Sequence, residues 1–330
     1  TEKYSHFNYD DMEVPELDIY SIDIEVHKDP SSGKGFPRPQ DAEHLVSAIS
    51  VNSILDNKTF VFGLYPYQPK SENVQYFHCP TEKELLSTFF DWWHKNHPDV
   101  VTGWNIAPST KSNKFGGFDI PYLINRAKKL FGEKTEEYLK LSPIKKVNTY
   151  TLKDTNAIFV TIGGVAILDY QSLYKWYTSK NLSNYKLDTV LKAEGVEQKL
   201  DYGNIPLGDL YYKDWEMYID YNIWDAEAIN ELERKLGYIS LSQALSILCK
   251  CPIEKYNATT QLIEGLLLTY YRQNGLCAPE FKGGSQNSYP AAYVKEPVPG
   301  TYHWLGSIDI ASSYPSHIIA LQMCISTYIG

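Results

Sequence analysis

LDIYSIDIEVHKDP, residues 17–30, decides how the rest of the chain is read. Its Ile and Val residues make it a strand built for burial, yet Asp23 and Glu25 set two acids in its middle. Strand side chains alternate between faces, so positions 17, 19, 21, 23 and 25 share one side. Tyr20, Ile22, Ile24 and Val26 can then pack into a core on the other. The two carboxylates project the same way, roughly 7 Å apart. Partly buried, they repel, and one takes up a proton unless a cation sits between them. Hard oxygen donors favour Mg²⁺ or Mn²⁺. The competing reading is a strand end in solvent with both acids hydrated.

Outward from this stretch, apolar runs at 44–51, 58–63 and 99–104 read as further strands. Thr81-Glu82-Lys83-Glu84 has the form of a capping box, and Leu85, Phe89 and Trp92 or Trp93 continue at helical spacing, predicting a helix over 81–96. Residues 105–118 form a polar, Gly-containing loop, and a helix should start at Asp119 with Pro121 in its first turn. Residues 147–164 alternate around an Asp-Thr-Asn turn, as a β-hairpin does. A long helix is expected over 215–236, ending near Gly237, and Pro and Gly become frequent from 279 to 306, marking a boundary. The segment LGSIDIASSYPSHIIAL, from Leu305, reads as a strand running into a turn and helix. Strands mixed with helices make the fold class α/β.

The chain of 330 residues, 43% hydrophobic and 22% charged, is long enough for a sizeable core and ordinary for a globular protein. Five Cys without a CxxC pattern point to reduced thiols and a cytoplasmic location, and Cys249-Lys250-Cys251 lacks the second pair a zinc site needs. There is no secretory leader and no apolar run of about 18 residues, so no membrane span is expected. A net charge of −9 argues at first against a polyanionic partner, but residues 105–192 hold 14 Lys and Arg against 7 Asp and Glu. That local balance of +7 leaves −16 elsewhere, and a basic segment can steer toward phosphate despite the overall sign. A solvated surface with chance clustering reads the same charges equally well.

Two further acids matter. Asp119 follows Gly116-Gly117-Phe118 and opens a predicted helix, where an Asp also serves as an ordinary N-cap. In YIDYNIWDAEAINELERKL, Tyr221 and Asp225 stand four apart, so on a helix they share a face with about 6 Å between Cβ atoms. A phenol and a carboxylate so placed can hold a water beside a cation, or simply face solvent.

In order, DxE on a strand, Asn followed by Phe-Asp after a loop, and YxxxD on a later helix resemble the proofreading 3′→5′ exonuclease of family B DNA polymerases. That nuclease is an RNase H-like DEDD enzyme, here of the tyrosine subtype. TGWNI, GFDIPYLINRAKKLFGE, VAILDYQSLYKWY, LSNYKLDTV and YNIWDAEAI are similar to the exonuclease region of T-even-type bacteriophage polymerases. So is GGSQNSYPAAYVKEP, while SIDIASSYPS resembles polymerase motif A.

The resemblance implies an RNase H-like fold, a mixed central sheet flanked by helices, with a β-hairpin and the start of a palm domain. It divides the chain into the tail of an N-terminal domain (1–16), an exonuclease domain (17–240), a helical linker (241–284) and the beginning of a palm (285–330). It implies that Asp23, Glu25, Asp119 and Asp225 bind two Mg²⁺ or Mn²⁺ ions and that Tyr221 orients the attacking water. Asn105 and Phe118 would position the terminal nucleotide, Lys145, Lys146 and Lys153 would meet phosphate near the hairpin, and Asp309 would be the motif A carboxylate of an incomplete polymerase metal site. Asp169 matches no ligand motif and reads as structural. The implied partners are single-stranded 3′ ends and primer-template DNA, a separate chain carrying the rest of a polymerase, and a sliding clamp. The KxxxNSxYG and DTDS motifs do not occur, so the chain by itself is expected to cut and not to synthesise, as an excised fragment or one half of a split polymerase. The alternative is a half that only binds DNA or a partner. Three features depart from the pattern: a longer loop APSTKSNKF before Gly116, Ser312-Ser313 where motif A carries Ser-Leu, and Phe281 where the linker motif carries Tyr.

Overall fold

The computed structural model describes residues 14–27, 37–107, 117–153, 156–196, 207–277 and 293–323. The tip of the expected hairpin turn, most of the long loop before Gly117 and the FKGG linker motif lie outside them. The chain divides into two compact units, Thr1–Ala278 and Pro279–Gly330.

Six strands of the first unit form one mixed sheet. They are β1 (Ile19–His27), β2 (Leu45–Ser53), β3 (Thr59–Gly63), β4 (Val74–His78), β5 (Val100–Gly103) and β8 (Ala166–Asp169). Their order is β4-β3-β2-β1-β5-β8, with β1 antiparallel to β2 and parallel to β5. Strands β6 (Val147–Thr151) and β7 (Ile158–Ile162) pair as the expected antiparallel hairpin. Helices follow as α1 (Glu82–Lys95), α2 (Asp119–Phe131), α3 (Tyr170–Tyr177), α4 (Leu187–Glu194), α5 (Leu207–Lys213), α6 (Trp215–Leu236), α7 (Tyr238–Cys249) and α8 (Thr259–Gln273).

The alternation along β1 sorts its two faces. Tyr20, Ile22 and Ile24 are buried in one cluster with Leu85, Phe89 and Trp93 of α1 and Leu123 and Ile124 of α2. Burying each such side chain contributes about 1.5–3 kcal/mol. The opposite face carries Ser21 and Asp23 and is covered by α6, where Ser21 Oγ donates to the Ala226 carbonyl at 2.6 Å. A β-bulge between Glu25 and Val26 ends the strict alternation.

The helix boundaries follow from their caps. Thr81 accepts from Glu84 N at 3.3 Å and starts α1. Asp214 accepts from Met217 N at 2.9 Å to open α6, and Gly237 closes it at φ 64°, a left-handed value that suits glycine. Strands β4 and β8 were not predicted. β4 is a half-exposed edge strand, and β8 is four residues that run directly into α3.

In the second unit the described residues hold one helix, α9 (Ser313–Ala320). The strand expected at the start of the segment from Leu305 is not there: among the described residues 307–310 pair with no neighbour, and they are exposed, Ile308 at 97%. Among the described residues Cys79, Cys249, Cys251 and Cys277 are free thiols, and no helix is long and apolar enough to cross a membrane.

Candidate active site

The site lies where β1 outruns its neighbour. β5 pairs with β1 only from Ile19 to Ser21, so Asp23 and Glu25 stand beyond the last parallel pair. Leaving β5, the chain turns at Asn105, a left-handed residue at φ 63° whose carbonyl accepts from Phe118 N at 2.7 Å. Gly117 is required there, because a Cβ would lie 2.1 Å from the Ala107 backbone. Asp119 then enters α2 as its first residue, behind Phe118 at the N-cap position, which makes no side-chain cap hydrogen bond. Its Oδ1 accepts instead from Ile24 N of β1 at 3.0 Å, supplying the partner that β5 no longer offers. The N-cap reading of Asp119 is therefore overturned.

From the other side, α6 brings Tyr221 and Asp225, which hydrogen-bond to each other. Glu25 and Asp119 are buried, whereas Asp23 and Asp225 are partly exposed. Burial pushes the pKa of Asp23 and Glu25 well above the ordinary carboxylate range, with Asp225 the strongest charged neighbour of both. Burial also raises Asp119 to about 8, opposed by the Ile24 N–H and reinforced by Asp169 and Asp225. Asp225 rises to about 7 for the same first reason, while the Tyr221 hydrogen bond pulls it down. The charge of Asp225 raises the other three, Asp188 raises Asp225, and buried carboxylates so placed resist ionising together without a compensating cation. Among the described residues no group of three or more His, Cys, Asp or Glu side chains is arranged to hold a metal ion. By donor chemistry alone, carboxylate oxygens are the hard ligands that Mg²⁺ or Mn²⁺ takes.

A cleft of about 540 Å³ is lined by two of these acids, Asp23 and Asp225, whereas Glu25 and Asp119 lie outside its lining. Its lining includes Asp23, Tyr221, Asp225 and Asp188, together with Asn105 and Trp104. Gln171, Lys175, Tyr185 and Lys186 line the rest. The Tyr185 carbonyl accepts from Gln171 Nε2 at 2.9 Å and Trp104 Nε1 at 3.3 Å. Lys175 lies 5.5 Å from the centroid of the Tyr185 ring, and burial lowers its pKa. This basic and aromatic wall was missed from sequence, because its members come from three segments that meet only in the fold.

The other expected residues lie elsewhere. Phe118 stacks on Tyr122 at 5.1 Å and packs against the core, outside the cleft lining. Lys145, Lys146 and Lys153 are exposed at the hairpin and do not line the cleft either. Asp169 is fully buried, caps α3 through Ser172 N at 2.8 Å, and rises to about 6 through burial. Asp309 is exposed in the second unit.

Comparison with known proteins follows the same lines. The family described as DNA polymerase family B, exonuclease domain, matches residues 2–190, more than half of the chain. The DNA-directed DNA polymerase of Escherichia phage RB69 is 28% identical over 98% of this chain, and that of Enterobacteria phage T4 is 27% identical over 94%. The DNA polymerase catalytic subunit of Alcelaphine herpesvirus 1 is 29% identical over 96%. The chain spans 37%, 36% and 31% of these relatives' respective lengths. With a mixed six-stranded sheet that gathers acids at one strand end, and a family match over most of that sheet, the chain belongs to the exonuclease domain family of the family B DNA polymerases.

Proposed function

We propose that this chain is a metal-dependent 3′→5′ exonuclease that removes the terminal nucleotide from single-stranded or frayed DNA. The observation that supports the reading is that Asp225 of α6 lies near enough to Asp23, Glu25 and Asp119, on two other segments, for its charge to raise all three. Two divalent ions held by these carboxylates would supply an activated water and a stabilised departing 3′-oxygen. Tyr221, hydrogen-bonded to Asp225, orients the water. Asn105 contacts the terminal nucleotide from the cleft mouth, and Trp104 and Tyr185 offer faces on which bases can stack. Lys175 and Lys186, in the same lining as Asp23 and Asp225, meet backbone phosphate, so the strand is held by charge while its end faces the carboxylates.

The direct test is a 3′-labelled oligonucleotide incubated with Mg²⁺, with and without EDTA. We expect shortening from the 3′ end, stopped by EDTA and by Asp23→Ala combined with Glu25→Ala. Cleavage that persists in the double variant would place the chemistry elsewhere. A second reading, a non-catalytic half that binds DNA or a polymerase partner, draws on the apolar side chains of α8, none of them buried. It predicts DNA binding without cleavage in the same assay.

A further inference from the structure

One buried polar side chain beside the acids has no role in the reading above. Asn222 follows Tyr221 on α6 and is fully buried. Its Nδ2 donates to Asp23 Oδ2 at 2.6 Å and to the Asp23 carbonyl at 3.3 Å. Its Oδ1 accepts from Ser50 Oγ at 2.5 Å, and Ser50 is the cross-strand partner of Asp23 on β2. One amide thus ties β1, β2 and α6 together at the position of the acid.

We propose that Asn222, seated on Ser50, is a positioning residue that fixes the carboxylate of Asp23 for cation binding. The inference rests on the metal-dependent reading of the site. Asp23 sits among Asp225, Glu25 and Asp119, and their charges drive an untethered carboxylate to rotate away from them. The Asn222 amide is the interaction that favours its charged form and holds one of its oxygens. Only an uncharged side chain that both donates and accepts fits. An ionised Asp has no hydrogen to give and adds a fifth negative charge. A Lys would neutralise Asp23 and compete with the cation, and a Leu of similar volume leaves both Asp23 and Ser50 unpaired. The Ser50 hydroxyl locks the amide, so the hold on Asp23 is set by a second residue with no path to substrate.

The test measures Mn²⁺ binding to metal-free protein by electron paramagnetic resonance, alongside melting in EDTA, for wild type, Asn222→Leu and Ser50→Ala. We expect Asn222→Leu to weaken Mn²⁺ binding roughly 10- to 100-fold and Ser50→Ala by about threefold to tenfold. Added Mn²⁺ should restore cleavage in both. A folded Asn222→Leu that binds Mn²⁺ like wild type, with only its melting temperature lowered, makes the residue merely structural and overturns the proposal. Should that variant fail to fold, Ser50→Ala decides, and wild-type affinity there overturns it equally. Wild-type protein that binds no Mn²⁺ overturns the metal-dependent reading and this proposal with it, whereas equal binding by wild type and variants overturns this proposal alone.

Discussion

The tetrapeptide Ser-Ile-Asp-Ile occurs twice, at 21–24 and again at 307–310. In the first copy Ile22 and Ile24 are 2% and 6% exposed, and Asp23 stands among three other acids. In the second Ile308 and Ile310 are 97% and 67% exposed, and the residues form no strand. Local propensity is identical, so it does not make the difference. β1 has β2 hydrogen-bonded on one side and β5 on the other, with α6 over one face. Residues 307–310 have no strand beside them among the described residues. A β segment expresses its pattern only when neighbours bury it.

The widest separation between the two copies should appear in catalysis. Asp23→Asn is expected to lower 3′-end cleavage about 10²- to 10³-fold, the scale of removing one group that stabilises the transition state. Asp309→Asn should leave the rate of the same reaction unchanged. A comparable loss in both variants would break the contrast.

Next in size is the coupling of pH to metal. The cluster acids have folded pKa values raised above their unfolded ones, so the folded chain binds more protons than the unfolded chain between them. Their contribution to stability is full below about pH 4 and is lost as the pH rises through the folded values of about 7 for Asp225 and about 8 for Asp119. Mg²⁺ can take over from those protons. The rise in melting temperature that Mg²⁺ produces should therefore be larger near about pH 8 than near about pH 5.5, read by differential scanning fluorimetry. An effect that shrinks with pH would mean that the acids do not share a cation.

Asn105, Phe118 and the hairpin lysines were legible as DNA-binding candidates only through their place in a family pattern, and of these Asn105 alone lines the cleft. Strands β1, β2, β3 and β5 were legible because apolar runs there are continuous, and α1 and α6 because their caps sit where the pattern starts or stops. β4 was not, since an edge strand half in water shows no clean apolar face. That Asp23 and Glu25 share a face was legible from alternation, although the same pattern also allowed two hydrated acids at a strand end. The tether from Asn222 was not, because nothing near it in sequence names Ser50 or Asp23 as its partner.

A smaller effect concerns the basic wall. Lys175→Ala and Lys186→Ala are each expected to raise the apparent KM for single-stranded DNA several-fold with kcat held, and to reduce the salt slope of log KM by about one. Steady-state rates across a salt series measure this, and an unchanged slope would remove these lysines from the phosphate path. The smallest effect returns to the repeated tetrapeptide. Ile22→Val should cost about 0.5–1.5 kcal/mol in urea unfolding, whereas Ile308→Val should stay within about 0.5 kcal/mol of wild type. Equal costs would mean that the second copy is also packed in solution.

The close approach of Gly117 to Ala107 has an engineering consequence. The two ends of the connection between β5 and α2 are clasped backbone to backbone, with Asp119 anchored to β1 just past the clasp. Extra residues inserted between those ends add closure entropy that grows only slowly with length, and they exert little leverage on the acid beyond. A peptide tag inserted between residues 107 and 117 should thus leave the carboxylates in place, whereas replacing Gly117 itself would unfasten them.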